Sequence, residues 1–231
     1  MIEHRPLATL GGGDHGWLQA RLHFDFAGLG NPAHKALGPL RVWNDDTFAP
    51  RSGFPLHPHQ DVEIITFVRE GAITHEDSLG NKGRTVAGDV QVMSAGTGIR
   101  HSEFNAEDVP TKLFQIWLDT RAKGATPRWA NRTFPSADRT GRFVTLASGD
   151  PDDDALYIDA DAAVLGATMT AGETVTHDLG ADGRAYLVPT TGRVTLNGFE
   201  LAAGDGAAVT GERNITITAV DDTQLVLVAL N

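Results

Sequence analysis

The hydrophobic positions of this chain fall in short runs rich in β-branched and aliphatic residues, at 40–43, 62–68, 90–93, 113–118, 143–146, 185–189, 193–196, 215–220 and 224–230. Turn-forming pairs separate them, among them Gly80-Asn81, Gly88-Asp89, Asn197-Gly198 and Gly204-Asp205. Strand-length runs punctuated in this way predict antiparallel sheets folded into sandwiches or barrels. No stretch sustains the periodicity of a long amphipathic helix, and strands do not alternate with helices. The expected fold is therefore all-β, with few short helices.

The polar stretch 125–140 holds Pro127 and Pro135 among Arg, Asn, Ser and Asp, and reads as a linker. It divides the chain into expected domains 1–136 and 137–231, and the run 148–155 (SGDPDDDA) reads as a loop inside the second. The halves echo each other. Gly71 and Gly88-Asp89 punctuate strands in the first, and Gly192 and Gly204-Asp205 do so in the second after Val175-Thr176-His177. A duplicated architecture is the simplest reading.

Composition narrows the chemistry. With 41% hydrophobic residues in 231 the chain can build real cores, and no window holds eighteen uninterrupted apolar residues, so no membrane span is expected. The opening MIEHRPLATLGGG lacks the long apolar stretch of a secretory signal, which makes the cytoplasm the expected location. There is no cysteine, so any metal must be held by imidazole and carboxylate. Nineteen Lys and Arg against thirty Asp and Glu give a net charge of −11, which repels phosphate backbones and argues against direct nucleic-acid binding.

Two segments carry candidate chemistry: Gly53-Phe-Pro-Leu-His57-Pro-His59-Gln-Asp-Val-Glu63, and Gly96-Thr-Gly98-Ile-Arg-His101-Ser-Glu103-Phe-Asn105. Residues two apart on a strand share a face, so His57 with His59, and His101 with Glu103, are two pairs of potential ligands. Together they offer three imidazoles and one carboxylate, a set that suits Fe(II), Zn, Mn, Ni, Co or Cu with positions left for water or substrate. Glu63 has the same strand parity as His57 and His59, so alternation alone does not choose between Glu63 and Glu103. His4, His15, His23 and His34 lie outside any ligand spacing. His75, beside the Gly80-Asn81 turn, is expected at a hairpin edge, and Arg41 and Trp43 are expected to close the barrel near the site. The second half has one histidine, His177, and no second motif, so it is expected to be chemically silent, with one metal ion per chain.

These residues resemble the cupin superfamily, whose first motif Glu63 and Gly71 continue and whose second is matched by Gly88, His101 and Asn105. The interval from Gly88 to His101 is longer than usual, and Gly96 and Gly98 stand where a Pro-x-Gly is common. Arg41-Val-Trp43-Asn-Asp, Gly53-Phe-Pro-x-His-Pro-His, Glu63-Ile-Ile-Thr, His75-Glu-Asp-Ser-x-Gly-Asn81, Ser94-Ala-Gly-Thr-Gly-Ile-Arg-His-Ser-Glu103 and Gln115-Ile-Trp117 together resemble the pirin family. The resemblance is dense over residues 15–130 and thin beyond them.

The pirin resemblance implies two cupin-type barrels (a bicupin) with the metal in the first. It implies Glu103 as the fourth ligand, with Glu63 outside the ligand set or on a neighbouring strand. It further implies a dioxygenase that opens the ring of flavonols such as quercetin, using O2 and releasing carbon monoxide, with Fe(II) the first choice of metal and Glu103 as base. Small aromatic substrate and O2 are then the partners, and a monomer is expected. The resemblance also implies an alternative, a metal- or redox-responsive module that binds another protein and turns over little. A zinc-dependent isomerase or hydrolase is a third reading.

Overall fold

The computed structural model describes residues 1–230 and is built almost wholly from strands, with two short 3-10 helices, Leu7–Thr9 and Ser136–Arg139. The all-β expectation is borne out, and no helix is long and apolar enough to cross a membrane. Contacts divide the chain into two bodies. One comprises Gly11–Phe134 with Leu156–Ala160, and the other Met1–Leu10, Pro135–Ala155 and Asp161–Asn231. The first ten residues therefore belong with the C-terminal body, where Ile2–Arg5 pairs antiparallel with Gly206–Thr210.

The body that starts at Gly11 contains a seven-stranded antiparallel sheet. Its order is Arg128–Arg132, Val90–Ser94, Val62–Glu70, Thr111–Asp119, Leu40–Phe48, Leu18–Leu22 and Gly11–Asp14. A four-stranded sheet, in the order Ser52–His59, Ile99–Asn105, Ala72–Asp77 and Lys82–Val86, accompanies it. Alternation decides which side chains are buried. In Ile99–Asn105 the residues Ile99, His101, Glu103 and Asn105 are buried while Arg100 and Phe104 are exposed. Leu18, Ala20, Leu22, Phe48, Val68, Ile73 and Leu113 form one apolar cluster, against which Trp17 and Phe54 pack. Asn105 donates to the carbonyls of Phe48, Ala49 and Val109, so this motif residue fastens loops.

The C-terminal body repeats the plan with a different interior. Its long sheet runs through Gly206–Thr210, Arg184–Thr191, Thr223–Leu230 and Ala162–Met169, and its four-stranded sheet through Thr174–Asp178, Asn214–Ala219, Arg193–Leu196 and Phe199–Ala202. Its core cluster is entirely Ala, Val, Leu, Ile and Met.

Two expectations need correction. The stretch read as a linker contains the strand Arg128–Arg132, which pairs with Val90–Ser94. Its polar composition resembles a loop, but an open sheet edge supplies a row of backbone partners that composition does not reveal. Arg41 does not close the barrel. It is exposed and ion-pairs with Asp119 at 3.2 Å, whereas Trp43 beside it is fully buried.

Gly53 sits opposite Phe104 in the ladder between Ser52–His59 and Ile99–Asn105. A Cβ there would lie 2.2 Å from the Glu103 carbonyl oxygen and 2.5 Å from the Phe104 Cα. Those are backbone atoms and cannot rotate away. Gly53→Ala should therefore destabilise the protein by about 1–3 kcal/mol, the usual range for overpacking, seen as a lower denaturant midpoint. It should also weaken metal uptake, because the same ladder carries His57 and His101.

Candidate metal centre

The site begins with strand register. Ser52–His59 and Ile99–Asn105 run antiparallel with His101 opposite His57 and Ile99 opposite His59. Directly opposed residues share a face, as do residues two apart, so the three imidazoles converge. Ring centroids are 4.8 Å apart for His57 and His59, 4.5 Å for His57 and His101, and 5.0 Å for His59 and His101. Among the described residues these three form the cluster with ligand atoms all within 4.8 Å of one another.

The electrostatics suit a cation. Burial, reinforced by His57, His59 and His75, pushes His101 down to about 2. Burial and His57 push His59 down to about 4. Both rings are thus neutral at neutral pH and present lone pairs. The Pro55 carbonyl lies 2.8 Å from His57 Nδ1 and can only accept, so Nδ1 carries the proton and Nε2 is left bare. His101 Nε2 is buried with no hydrogen-bond partner. A buried ring nitrogen is expensive to leave unsatisfied, and a metal ion satisfies it. Three converging imidazoles with one such orphan fit a divalent transition metal.

Glu103 lies two residues beyond His101 on the same buried face, past a bulge where the register shifts between His101 and Glu103. Its carboxyl rests on one rung of the large sheet, formed by Gln91, Thr66 and Gln115 side by side. Gln115 Nε2 donates to Oε2 at 2.5 Å, and Gln91 Nε2 and the Thr66 hydroxyl donate to Oε1 at 3.0 and 3.3 Å. Both amides are oriented from behind. The Trp117 indole donates to Gln115 Oε1 and the Thr85 hydroxyl to Gln91 Oε1. Burial pushes Glu103 above the ordinary glutamate range, against the pull of His75, Gln115, His57 and Thr66.

Glu63 is elsewhere. Asp61 adopts a left-handed conformation (φ 49°) between the Ser52–His59 and Val62–Glu70 strands, so parity counted through it does not hold. On Val62–Glu70, Glu63 and Thr66 face opposite sides, and Thr66 is the residue that reaches Glu103. Glu63 is instead buried against the Ser94 hydroxyl at 2.6 Å. His75 is not at a solvent-exposed hairpin edge. It is fully buried on Ala72–Asp77, with Nδ1 3.4 Å from His101 Nδ1 and Nε2 3.1 Å from Asp77 Oδ2. His4 pairs with Asp205 at the surface, His23 and His34 are buried away from the cluster, and His177 lies edge-on to Phe143 in the other body.

A cavity of about 570 Å³ opens onto His57 and His59. Trp17, Leu18, Leu22, Phe26, Phe54 and Trp117 give it apolar walls, and His15, Asn44, Asp46 and Gln115 supply polar points. Asp46 Oδ1 is buried without a partner, and burial, with Asp45 and Glu103 nearby, pushes this carboxyl well above the ordinary range. Sequence reasoning missed Asp46. The available signal was a carboxylate at the parity of the apolar residues Leu40, Val42 and Phe48.

Comparison with known proteins agrees with this geometry. Residues 4–118 match the Pirin family model and residues 145–230 the Quercetinase C-terminal cupin domain. A pirin-like protein of Caulobacter vibrioides is 59% identical over 99% of both chains. A quercetin 2,3-dioxygenase of Escherichia coli K12 is 38% identical, over 98% of this chain and 97% of that one. The crystal structure of the bacterial pirin YhhW from Escherichia coli in complex with nickel(II) superposes with a TM-score of 0.93 at 37% identity, covering 100% of this chain and 99% of that one. The bicupin architecture is thereby borne out over the whole length.

Two outcomes are expected. In the metal-free protein the His59 ring should titrate near pH 4 by NMR, against an ordinary value of 6.5. The unfolded chain takes up this proton near 6.5 and the folded chain only near 4, so stability falls as pH is lowered through that interval and is unaffected by this group above it. His59→Asn should remove that share of the pH dependence in denaturation curves. Separately, His177→Ala should leave metal content unchanged at one equivalent per chain by elemental analysis.

Proposed function

The chain belongs to the pirin family, and from that premise we propose that it is a metal-dependent dioxygenase that opens the ring of flavonols such as quercetin. His57, His59, His101 and Glu103 would hold one divalent transition metal, with Fe(II) the first choice. The observation that carries this reading is the apolar, aromatic-walled cavity leading to the exposed side of the imidazole cluster. Its volume lies in the usual range for small-molecule sites, and its few polar groups suit a flat substrate bearing several hydroxyls.

A metal at this centre would supply Lewis acidity towards a substrate oxygen and the one-electron chemistry that O2 requires. The chain's own groups do the rest. Trp17, Phe54 and Trp117 hold the rings and exclude water. Glu103 takes the proton of the 3-hydroxyl, and Gln91, Thr66 and Gln115 keep its oxygens turned to accept. Asp46, whose carboxyl burial pushes well above the ordinary range, meets a second substrate hydroxyl from the cavity wall.

The test is anaerobic purification, reconstitution with individual metals, and measurement of quercetin loss, O2 uptake and carbon monoxide. One O2 should be consumed and one carbon monoxide released per ring opened. Glu103→Gln should lower kcat by about 10²–10⁴-fold, the range for loss of a general base. The absence of turnover with every metal would overturn the reading in favour of the interaction module.

A further inference from the structure

We propose that Asp77 and His75 form a hydrogen-bonded relay that fixes the tautomer of His101, and that this relay decides whether His101 Nε2 is free to bind a metal ion. The proposal rests on the metal-site reading of the three imidazoles and not on dioxygenase turnover.

The argument starts at the far end. The Asp77 side chain is buried, and its oxygens are surrounded by groups that donate. Oδ1 accepts from the backbone N–H groups of Leu79 at 2.9 Å and Asn81 at 3.0 Å, and Oδ2 from Asn81 Nδ2 at 2.9 Å. His75 Nε2 lies 3.1 Å from the same Oδ2, so it too must carry the proton and donate. A neutral ring protonated at Nε2 is bare at Nδ1. His75 Nδ1 faces His101 Nδ1 at 3.4 Å, and a hydrogen bond there needs one proton between the two nitrogens. A His75 ring with a single proton, held at Nε2 by Asp77, has none to supply, so His101 Nδ1 does. His101 Nε2 is then left as a lone pair, and this is the buried atom without a partner.

The surroundings hold the relay in place. The His75 ring stacks on Trp129 with centroids 4.8 Å apart and planes 7° from parallel. Gly83, opposite His75 in the ladder, makes room for that indole, since a Cβ there would lie 2.1 Å from Trp129 Cη2. In the neighbouring ladder His101 is paired with Asp77 and Glu103 with His75. His57 reaches the same tautomer by a simpler route, through the Pro55 carbonyl. Asp77 and His75 are therefore positioning residues.

Asp77→Asn puts the relay to the test. The backbone N–H groups of Leu79 and Asn81 still need an acceptor, so the amide oxygen takes their side and the amide nitrogen turns to His75. That donor inverts the His75 ring, which then donates from Nδ1 and forces the His101 proton onto Nε2. In ¹⁵N-histidine NMR of the metal-free full-length protein, the unaltered chain should show His101 protonated at Nδ1 and His75 at Nε2. Asp77→Asn should show both inverted, with the Kd for Ni(II) raised about 10–100-fold, the usual consequence of removing a partner behind a metal ligand. His75→Phe keeps the stacking surface and frees His101 to adopt either tautomer, so its loss should be smaller than that of Asp77→Asn. A His101 proton on Nε2 in the unaltered protein would overturn the proposal, as would an unchanged Ni(II) Kd in Asp77→Asn. The tautomers are read without metal and without any variant. Failure of the unaltered protein to bind Ni(II) at all would instead count against the metal-site reading.

Discussion

The antiparallel register that sets His101 opposite His57 is the constraint on which the metal centre depends. Side chains on a strand alternate between faces, so a slip of one residue by either strand would turn its histidines out of the interior. The close backbone approach at Gly53 holds the two strands in that register. The bulge beyond His101 then lets three steps on one strand, from His57 to Phe54, span the two steps from His101 to Glu103. A bulge re-aims side chains locally, and here it falls between His101 and the carboxyl that follows it.

Burying this much polarity in a small barrel is costly unless each group is satisfied. The first body meets that condition with a rung of three polar side chains, Gln91, Thr66 and Gln115, directed at one carboxyl, and with donors behind both amides that fix which way each amide faces. His75 and Asp77 play the same part behind His101. Besides His101 Nε2, Asp46 Oδ1 is buried without a partner, on a residue that lines the cavity. The core cluster of the C-terminal body is aliphatic throughout, so the packing of that cluster answers to volume alone.

Much of this arrangement was legible in the chain. His57, His59 and His101 could be recognised because their spacing matches strand alternation, and the apolar runs marked most of the strands that carry the cores. What could not be read depends on pairing between distant segments. Nothing in the sequence places Asp77 against His101 or Gln91 beside Thr66, because a ladder register is a tertiary fact. Glu63 shares a parity with the histidines only while the strand is taken as continuous, and Asp61 breaks it. Residues 128–132 read as linker since their composition is polar, and they became a strand because Val90–Ser94 offered an edge.

The strand Ile2–Arg5 precedes its ladder partner Gly206–Thr210 by roughly two hundred residues. Until that partner emerges, the opening strand has no sheet to join, and Gly206–Thr210 in turn lacks the neighbour on that side. Contacts so remote in sequence close late, because the chain entropy they cost is recovered only when the rest of the sheet is in place. During synthesis, the body that begins at Gly11 is therefore free to collapse around its own core before Ile2–Arg5 has its partner. Assembly of this molecule is ordered by topology: Ile2–Arg5 precedes that body in sequence and finds its place after it.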